Sequence, residues 1–319
     1  SFIPRIMRKE LSMSVNDIKT VCLIGLGSLG IMYAHHLSKR MPFDDLRILA
    51  DPVRQKRWEK DPVRCNGEIC RFHFVDPKAP ASPADLMLFT VKFDGLDQAI
   101  RDAEHQIGPD TLILSFLNGI VSEEIIARCY GRDKVLYAVA QGMDGIRSGN
   151  ELVYRNMGLV CFGEGEKGLR TPRVRRVEDF FARMEFPHQT DTDMKGRLWG
   201  KFMLNVGVNQ TVAVYRGTYG TIQQPGEARS TMIAAMKEVI PLAAAEGIEL
   251  TQQDLNYWLG VLDTLRPEGK PSLAQDLDCG KPTEVGLFAG TVLELGAKHS
   301  IDTPVNRFLY ERIRELESL

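Results

Sequence analysis

The chain has 319 residues, 44% of them apolar and 26% charged, which is the make-up of a globular protein long enough for two domains, each with its own core. Forty basic against forty-two acidic residues leave a net charge of −2, which argues against nucleic acid or an anionic membrane as partner and in favour of a small molecule. The longest apolar runs are broken by charge well before the roughly 18 residues that a membrane span needs, and no secretory h-region opens the chain, so a cytosolic protein is expected.

Residues 1–18 are mixed, charged and aperiodic, and read as an extension. Thr20-Val-Cys-Leu-Ile-Gly25 reads as a buried strand, and Gly25-Leu26-Gly27-Ser28-Leu29-Gly30 turns it directly into a helix through Ile31, Ala34 and Leu37. The glycine spacing alone is a weak signal. Strand, glycine turn and helix in immediate succession are the context in which backbone N–H groups at a helix N-terminus hold a dinucleotide pyrophosphate. A second strand, Leu46 to Asp51, ends on an acid twenty-one residues past Gly30, where a carboxylate bonds the ribose hydroxyls of NAD(H). Arg54, Lys56 and Arg57 follow it; they form either a solvated helix face or a wrap for the 2′-phosphate of NADP(H), so both cofactors stay open.

Asp85 to Lys92 and Thr111 to Gly119 are further apolar runs with helical stretches between and after them. The alternation predicts a doubly wound, mostly parallel sheet of the Rossmann kind, with ligands beyond the carboxyl ends of the strands. Lys92 and Asn118 stand at such ends. Lys92 is either a loop residue or a cofactor contact; Asn118, followed by the turn-forming Gly119, is read as functional. Glu151 to Arg155 and Gly158 to Gly163 read as late strands joined by a turn around Asn156, antiparallel and at the sheet edge. The run from Arg170 to Arg176 opens a helix whose charges read as a solvated face. Six cysteines are scattered along the chain; only Cys65 and Cys70 lie close, without the second pair of a zinc site, so reduced thiols and no metal are expected.

From about Thr192 the chain is helical, which divides it into an α/β part, residues 19–191, and an all-α part, residues 192–319. Helices are expected at Met194 to Tyr215, at Glu227 to Gly247 with a kink at Pro241, and at Thr251 to Leu265 behind the Thr251-x-x-Asp254 cap. Two more are expected at Glu284 to His299, and from Pro304 to the end with Thr303 as N-cap. In the first of them Lys201, Asn205 and Asn209 fall at i, i+4 and i+8, on one face. Phe202, Met203, Leu204, Val206, Val208, Val212 and Val214 surround that line and bury the helix. A buried lysine without a partner loses its proton or costs several kcal/mol, and a buried unpaired amide costs roughly 1–3 kcal/mol. Something polar meets this line, whether backbone, an acidic side chain across an interface, or a ligand.

Between the last helices lie Lys270-Pro271-Ser272-Leu-Ala-Gln275-Asp276 and Thr283-Glu284, the last placed in the first turn of a helix, where the macrodipole favours its charge. The glycine turn at 25–30, Leu117-Asn118-Gly119, Lys201-x3-Asn205-x3-Asn209, Pro271-Ser272-x2-Gln275-Asp276 and Thr283-Glu284, in this order and spacing, resemble the ketopantoate reductase family from residue 19 onward. The resemblance implies a Rossmann domain, a helical C-terminal domain, and a cleft between them where NADPH reduces the keto group of 2-dehydropantoate to pantoate. It implies Lys201 as the acid at the ketone oxygen and Glu284 as the residue that bonds substrate and tunes that lysine. Asn118, Asn205, Asn209 and Ser272 would hold the substrate, and Gly25 to Gly30, Asp51, Lys92 and Asn118 the cofactor.

The chain departs from the family pattern at Asp51, where an arginine is usual, and at Val285-Gly286 and Ala289-Gly290, which replace Ile-Asp and Asn-Gly. The first departure keeps NAD(H) beside NADP(H); the second keeps another 2-keto acid of similar size beside ketopantoate. The competing readings are a β-hydroxyacid dehydrogenase, which lacks the Ser272 and Thr283-Glu284 motifs, and a non-catalytic dinucleotide sensor, which would have lost Lys201 or Glu284. A methyltransferase would leave the polar helix unexplained. The oligomeric state stays open, a homodimer included.

Overall fold

A computed structural model describes residues 17–319; the expected extension, up to residue 16, lies outside the described residues. Ile18 is already fully buried, and its carbonyl accepts a hydrogen bond from Arg183. Twelve stretches of the described residues become strands, and those in the middle of the main sheet are buried along their whole length, as parallel strands between helix layers must be. In chain order they are β1 (Val21–Ile24), β2 (Leu46–Leu49), β3 (Arg64–Cys65), β4 (Glu68–Ile69), β5 (His73–Val75), β6 (Leu86–Phe89), β7 (Leu112–Ser115), β8 (Val135–Gln141), β9 (Ile146–Ser148), β10 (Glu151–Val153), β11 (Leu159–Gly163) and β12 (His188–Thr190). Between them run α1 (Ser28–Ser38), α2 (Pro52–Lys60), α3 (Leu96–Asp102), α4 (Ser122–Tyr130) and α5 (Pro172–Arg183).

Eight strands form one sheet in the order β5-β2-β1-β6-β7-β8-β11-β12, parallel throughout except where β11 runs against β8. From β1 the chain first fills one side of the sheet, then returns to β6 on the other side. The loops after β1 and β6 therefore flank the crevice at the switch point, where such sheets take their ligands. Four short strands, in the order β4-β3-β10-β9, make a separate sheet.

Two expectations about this half are corrected. The segments Glu151 to Arg155 and Gly158 to Gly163 do not pair with each other: β10 joins the small sheet, and β11 lies inside the large one, with β12 outside it. Burial explains the separation, since β10 buries Leu152 alone whereas Val160, Cys161, Phe162 and Gly163 of β11 are all buried. The arginines of 170–176 are not uniformly solvated either. Arg173 donates to the buried Glu164 through Nε at 2.7 Å and Nη2 at 2.5 Å.

The second half comprises α6 (Met194–Val214), α7 (Tyr219–Gln223), α8 (Glu227–Ala245), α9 (Gln252–Asp263), α10 (Ser272–Asp278), α11 (Thr291–His299) and α12 (Pro304–Glu317). α6 is the central helix, packed by α8, α9, α10 and α12. It also lies on the sheet: Tyr137, Val139 and Cys161 share one core with Met194, Leu198 and Phe202. No helix of the described residues is long and apolar enough to cross a membrane.

Glu284 is not in the first turn of a regular helix, which is a third correction. It sits in a bend ahead of a π-helical turn, Gly286–Gly290, that leads into α11. Ala289 N–H is drawn to the buried Gln210 Oε1 of α6 at 2.9 Å, and Gly290 N–H reaches back five residues to Val285 O at 3.1 Å. A side chain entering the hydrogen-bond ladder in this way widens the turn.

Candidate active site

In the glycine turn between β1 and α1, the backbone itself requires glycine at two positions. Gly25 has φ +106°, and a Cβ there would lie 2.6 Å from Val91 N. At Gly30 a Cβ would lie 1.8 Å from Gly25 O, so only glycine lets α1 start this close to β1. Gly27, by contrast, has open space beside it, its nearest neighbour being Thr90 O at 4.0 Å. That open flank at the N-terminus of α1 fits a pyrophosphate approaching backbone. Thr90, which the sequence did not single out, fixes the turn from the β6 side by donating to Ile24 O at 3.0 Å and Gly25 O at 2.7 Å.

Beyond the turn opens a cavity of about 260 Å³ between the sheet and the helical half. Gly27, Ser28, Leu29, Lys92, Asn118, Lys201, Asn205, Asn209, Ser272 and Glu284 all line it. Gly25, Leu26, Gly30 and Asp51 do not. Gly25 and Gly30 act through backbone fit, and Leu26 is buried in the core with its carbonyl accepting from Arg147 Nη1 at 2.6 Å. Asp51 caps α2, Oδ1 accepting from Arg54 N–H at 2.8 Å, with Oδ2 3.7 Å from Arg54 Nε. Lys92 donates to Asp276 Oδ2 at 2.6 Å.

The polar line on α6 faces this cavity. Among the described residues, the side chains of Lys201, Asn205, Asn209, Asn118 and Ser272 make no hydrogen bond. No backbone group or acidic side chain of the described residues is hydrogen-bonded to that line, which lines the cavity instead; Glu284 acts on Lys201 through its charge. Burial pushes the Lys201 ammonium down to about 8, opposed by the charges of Glu284, Cys161 and Glu123. Burial also raises Glu284, opposed by the Phe93 N–H that donates to its Oε1 at 3.2 Å and by Lys92. Leu204, Val208, Trp258, Val261 and Leu262 make the apolar wall. Gln141, also missed in the sequence, lines the cavity and ties β8 to α9 through Tyr257 Oη at 2.9 Å. The Phe93 amide, Gln210 and Gln141 carry no motif, since each acts through a partner more than 70 residues away.

Comparison with known proteins covers both halves. Residues 21–167 match the family described as ketopantoate reductase PanE/ApbA, and residues 193–317 match ketopantoate reductase PanE/ApbA, C terminal. The chain is 26% identical over 240 residues to a 2-dehydropantoate 2-reductase of Pyrococcus horikoshii, covering 75% of this chain and 78% of that one. To a 2-dehydropantoate 2-reductase of Streptococcus pyogenes serotype M6 it is 22% identical over 310 residues, covering 94% and 98%. Among solved structures, a PanE/ApbA family ketopantoate reductase from Ralstonia eutropha JMP134 superposes with a TM-score of 0.79 at 24% identity, covering 94% of this chain and 98% of that one. A D-mandelate dehydrogenase with NADH and anilino(oxo)acetate superposes with a TM-score of 0.82 at 18% identity, with the same coverage. With both of its halves matched in order by the two parts of one family, the chain belongs to the ketopantoate reductase family.

Proposed function

We propose that this protein is a 2-dehydropantoate 2-reductase, reducing the keto group of ketopantoate to the hydroxyl of pantoate. The observation that carries the reading is the unpaired line of Lys201, Asn205 and Asn209, facing one cavity with Gly27, Asn118, Ser272 and Glu284. A bound nicotinamide dinucleotide supplies the hydride. As hydride arrives at the keto carbon, negative charge grows on its oxygen. Lys201 stabilises that charge from an apolar wall, where no water has to reorganise, and gives up its proton to the new hydroxyl. Asn118, Asn205, Asn209 and Ser272 supply the donors and acceptors that hold the substrate carboxylate and hydroxyl, and Glu284 binds substrate while drawing positive charge onto Lys201. In this scheme residues 19–191 carry the cofactor and residues 192–319 the substrate.

For the cofactor we favour NADPH. Arg147 has its guanidinium on the glycine turn through Leu26 O, and its charge is opposed by that of Arg57. A 2′-phosphate beside these two cations would relieve their repulsion. Asp51 supports the second reading, NADH, since its carboxylate stands at the end of β2 where a ribose hydroxyl would bind. Another 2-keto acid is favoured by Val285-Gly286 and Ala289-Gly290, which replace polar family residues next to Glu284.

The test is oxidation of NADPH and NADH, followed by nicotinamide absorbance, with ketopantoate and a panel of 2-keto acids. Turnover fastest with ketopantoate and NADPH is expected. Faster turnover with NADH assigns the ribose end to Asp51, and no turnover with ketopantoate alongside turnover of another keto acid moves the substrate.

A further inference from the structure

Behind the candidate site lies a carboxylate that the reduction scheme does not use. Glu123 is the second residue of α4 and is 2% exposed. Its Oε2 accepts from the Ser122 hydroxyl at 3.1 Å, and Ser122 Oγ lies 2.7 Å from Ser115 Oγ at the end of β7. Its other oxygen, Oε1, is buried with no hydrogen-bond partner among the described residues. The neighbouring Glu124 shows what an acid in this turn ordinarily does: it is partly exposed and meets Arg132 Nη2 at 2.5 Å and Tyr137 Oη at 2.7 Å. Glu123 has no such cation against it, so a negative charge there rests on the helix N-terminus and on the positive charge within its reach.

That charge is Lys201, which feels Glu123 together with Glu284 and Cys161. Ala138 of β8 is common to both groups. Its N–H acts on the Glu123 carboxylate, and with Asn118, Gly119, Lys201 and Asn205 it lines a narrow gap that has no room for water. Attraction across such a gap is weakly screened. Burial pushes the Glu123 carboxyl up to about 7, opposed by its own N–H, the Ser122 hydroxyl and the Ala138 N–H, and helped by the charge of Glu124. Glu123 is therefore charged over the range in which Lys201 gives up its proton. Tyr137, the titratable group that faces it from β8, is neutral there, since burial raises its hydroxyl.

Resting on the reading of Lys201 as the acid of the reduction, we propose that Glu123 is a positioning residue for that lysine: a buried carboxylate behind the Asn118 turn whose negative charge keeps the proton on Lys201. Glu123 lines no part of the cavity, so it acts on substrate only through Lys201. Glu284 does line the cavity, and its hold on Lys201 changes when substrate binds to it. The charge of Glu123 is there before and after.

The isosteric Glu123→Gln removes the charge and keeps the shape. In protein carrying isotope-labelled lysine, the Lys201 Cε resonance, identified by its loss in Lys201→Ala, is expected to titrate roughly 0.5 pH unit lower in Glu123→Gln. Reduction follows: kcat/KM is expected to fall less than about twofold at about pH 6, where Lys201 is protonated in both proteins, and about threefold at about pH 9. The Kd of NADPH, from fluorescence, shifts less than about twofold. Ser122→Ala withdraws the hydroxyl from Glu123 and leaves the carboxylate in place, so it is expected to move the Lys201 midpoint the same way by a smaller amount. A midpoint that does not move in Glu123→Gln, or in Ser122→Ala where Glu123→Gln fails to fold, would overturn the proposal. An equal loss of rate at both pH values would overturn it too, because that marks a purely structural role. Should the unmodified protein reduce no 2-keto acid at all, the reading of Lys201 as the acid fails while its titration still decides on Glu123.

Discussion

Lys201 carries two opposite consequences of one burial. Its ordinary value of 10.5 is pulled to about 8, so at neutral pH it is a cation held at the edge of losing its proton, which suits an acid that must protonate a ketone oxygen. For catalysis, kcat/KM for keto reduction is expected to be level below about pH 8 and to fall above it. The reverse oxidation should rise through the same pH, because it needs the neutral amine. Lys201→Ala should cost roughly 10²–10⁴-fold in reduction, with dinucleotide binding kept. For stability the sign is opposite to that of a paired lysine. Because the folded pKa lies below the unfolded one, the cost of burying the charge is complete below about pH 8 and vanishes above about 10.5. Lys201→Met should therefore stabilise the protein at pH 7 by roughly 2–3 kcal/mol, a gain that fades toward pH 10.5. Thermal melts of both proteins across that range check it; a constant difference would show that lysine burial is not its source.

At the scale of elements, the turn after Glu284 is set from outside. Gln210 of α6 accepts from Ala289 N–H at 2.9 Å and donates to Val206 O at 2.7 Å and Asn306 Oδ1 at 3.2 Å, and Asn306 in turn donates to Glu238 Oε2 at 2.8 Å. Gln210 is fully buried. Gln210→Leu leaves Ala289 N–H without its partner and should cost about 1–3 kcal/mol in urea unfolding, and it should lower turnover by shifting Glu284. A loss under about 0.5 kcal/mol would show that the glycines of 286–290 set the turn by themselves. This turn also marks how far the sequence could be read. The period that places Lys201, Asn205 and Asn209 on one face is local to α6, and the strand, glycine turn and helix at 20–37 are consecutive, so both were legible. The π turn was not, because residues 284–299 keep an ordinary helical pattern and the side chain that widens it sits on another helix. α10 was missed as a seven-residue helix. β3 and β4 were missed because two-residue strands have no period and exist only through pairing with β10 and with each other. Arg173 read as solvated because its partner Glu164 precedes the helix and is identifiable only from the fold.

For the whole molecule, the change from α/β to all-α near residue 191 is a change of secondary structure without a break in packing. Tyr137 and Val139 of β8 and Cys161 of β11 lie in the same core as Met194, Leu198, Trp199 and Phe202 of α6, and that core continues to Met232, Met236, Leu309 and Ile313. Arg197, one turn into α6, bonds Asp191 Oδ2 at 2.5 Å and Gln141 Oε1 at 3.1 Å, so the segment joining the halves is fastened on both sides. If α6 were removed, Tyr137 and Val139 of β8 and Cys161 of β11 would lose the helix they pack against, and apolar surface on that face of the sheet would meet water. The two halves should therefore unfold together. Calorimetry is expected to give one transition whose van't Hoff and calorimetric enthalpies agree. Val139→Ala, a cavity on the sheet side of the shared core, should lower that single transition by the few kcal/mol typical of such truncations. The same shift should appear in the hydrogen exchange of α8, which Val139 does not belong to but whose core it shares. Two resolved transitions, with α8 unaffected by Val139→Ala, would mean that each half is stable on its own and that α6 merely rests on the sheet.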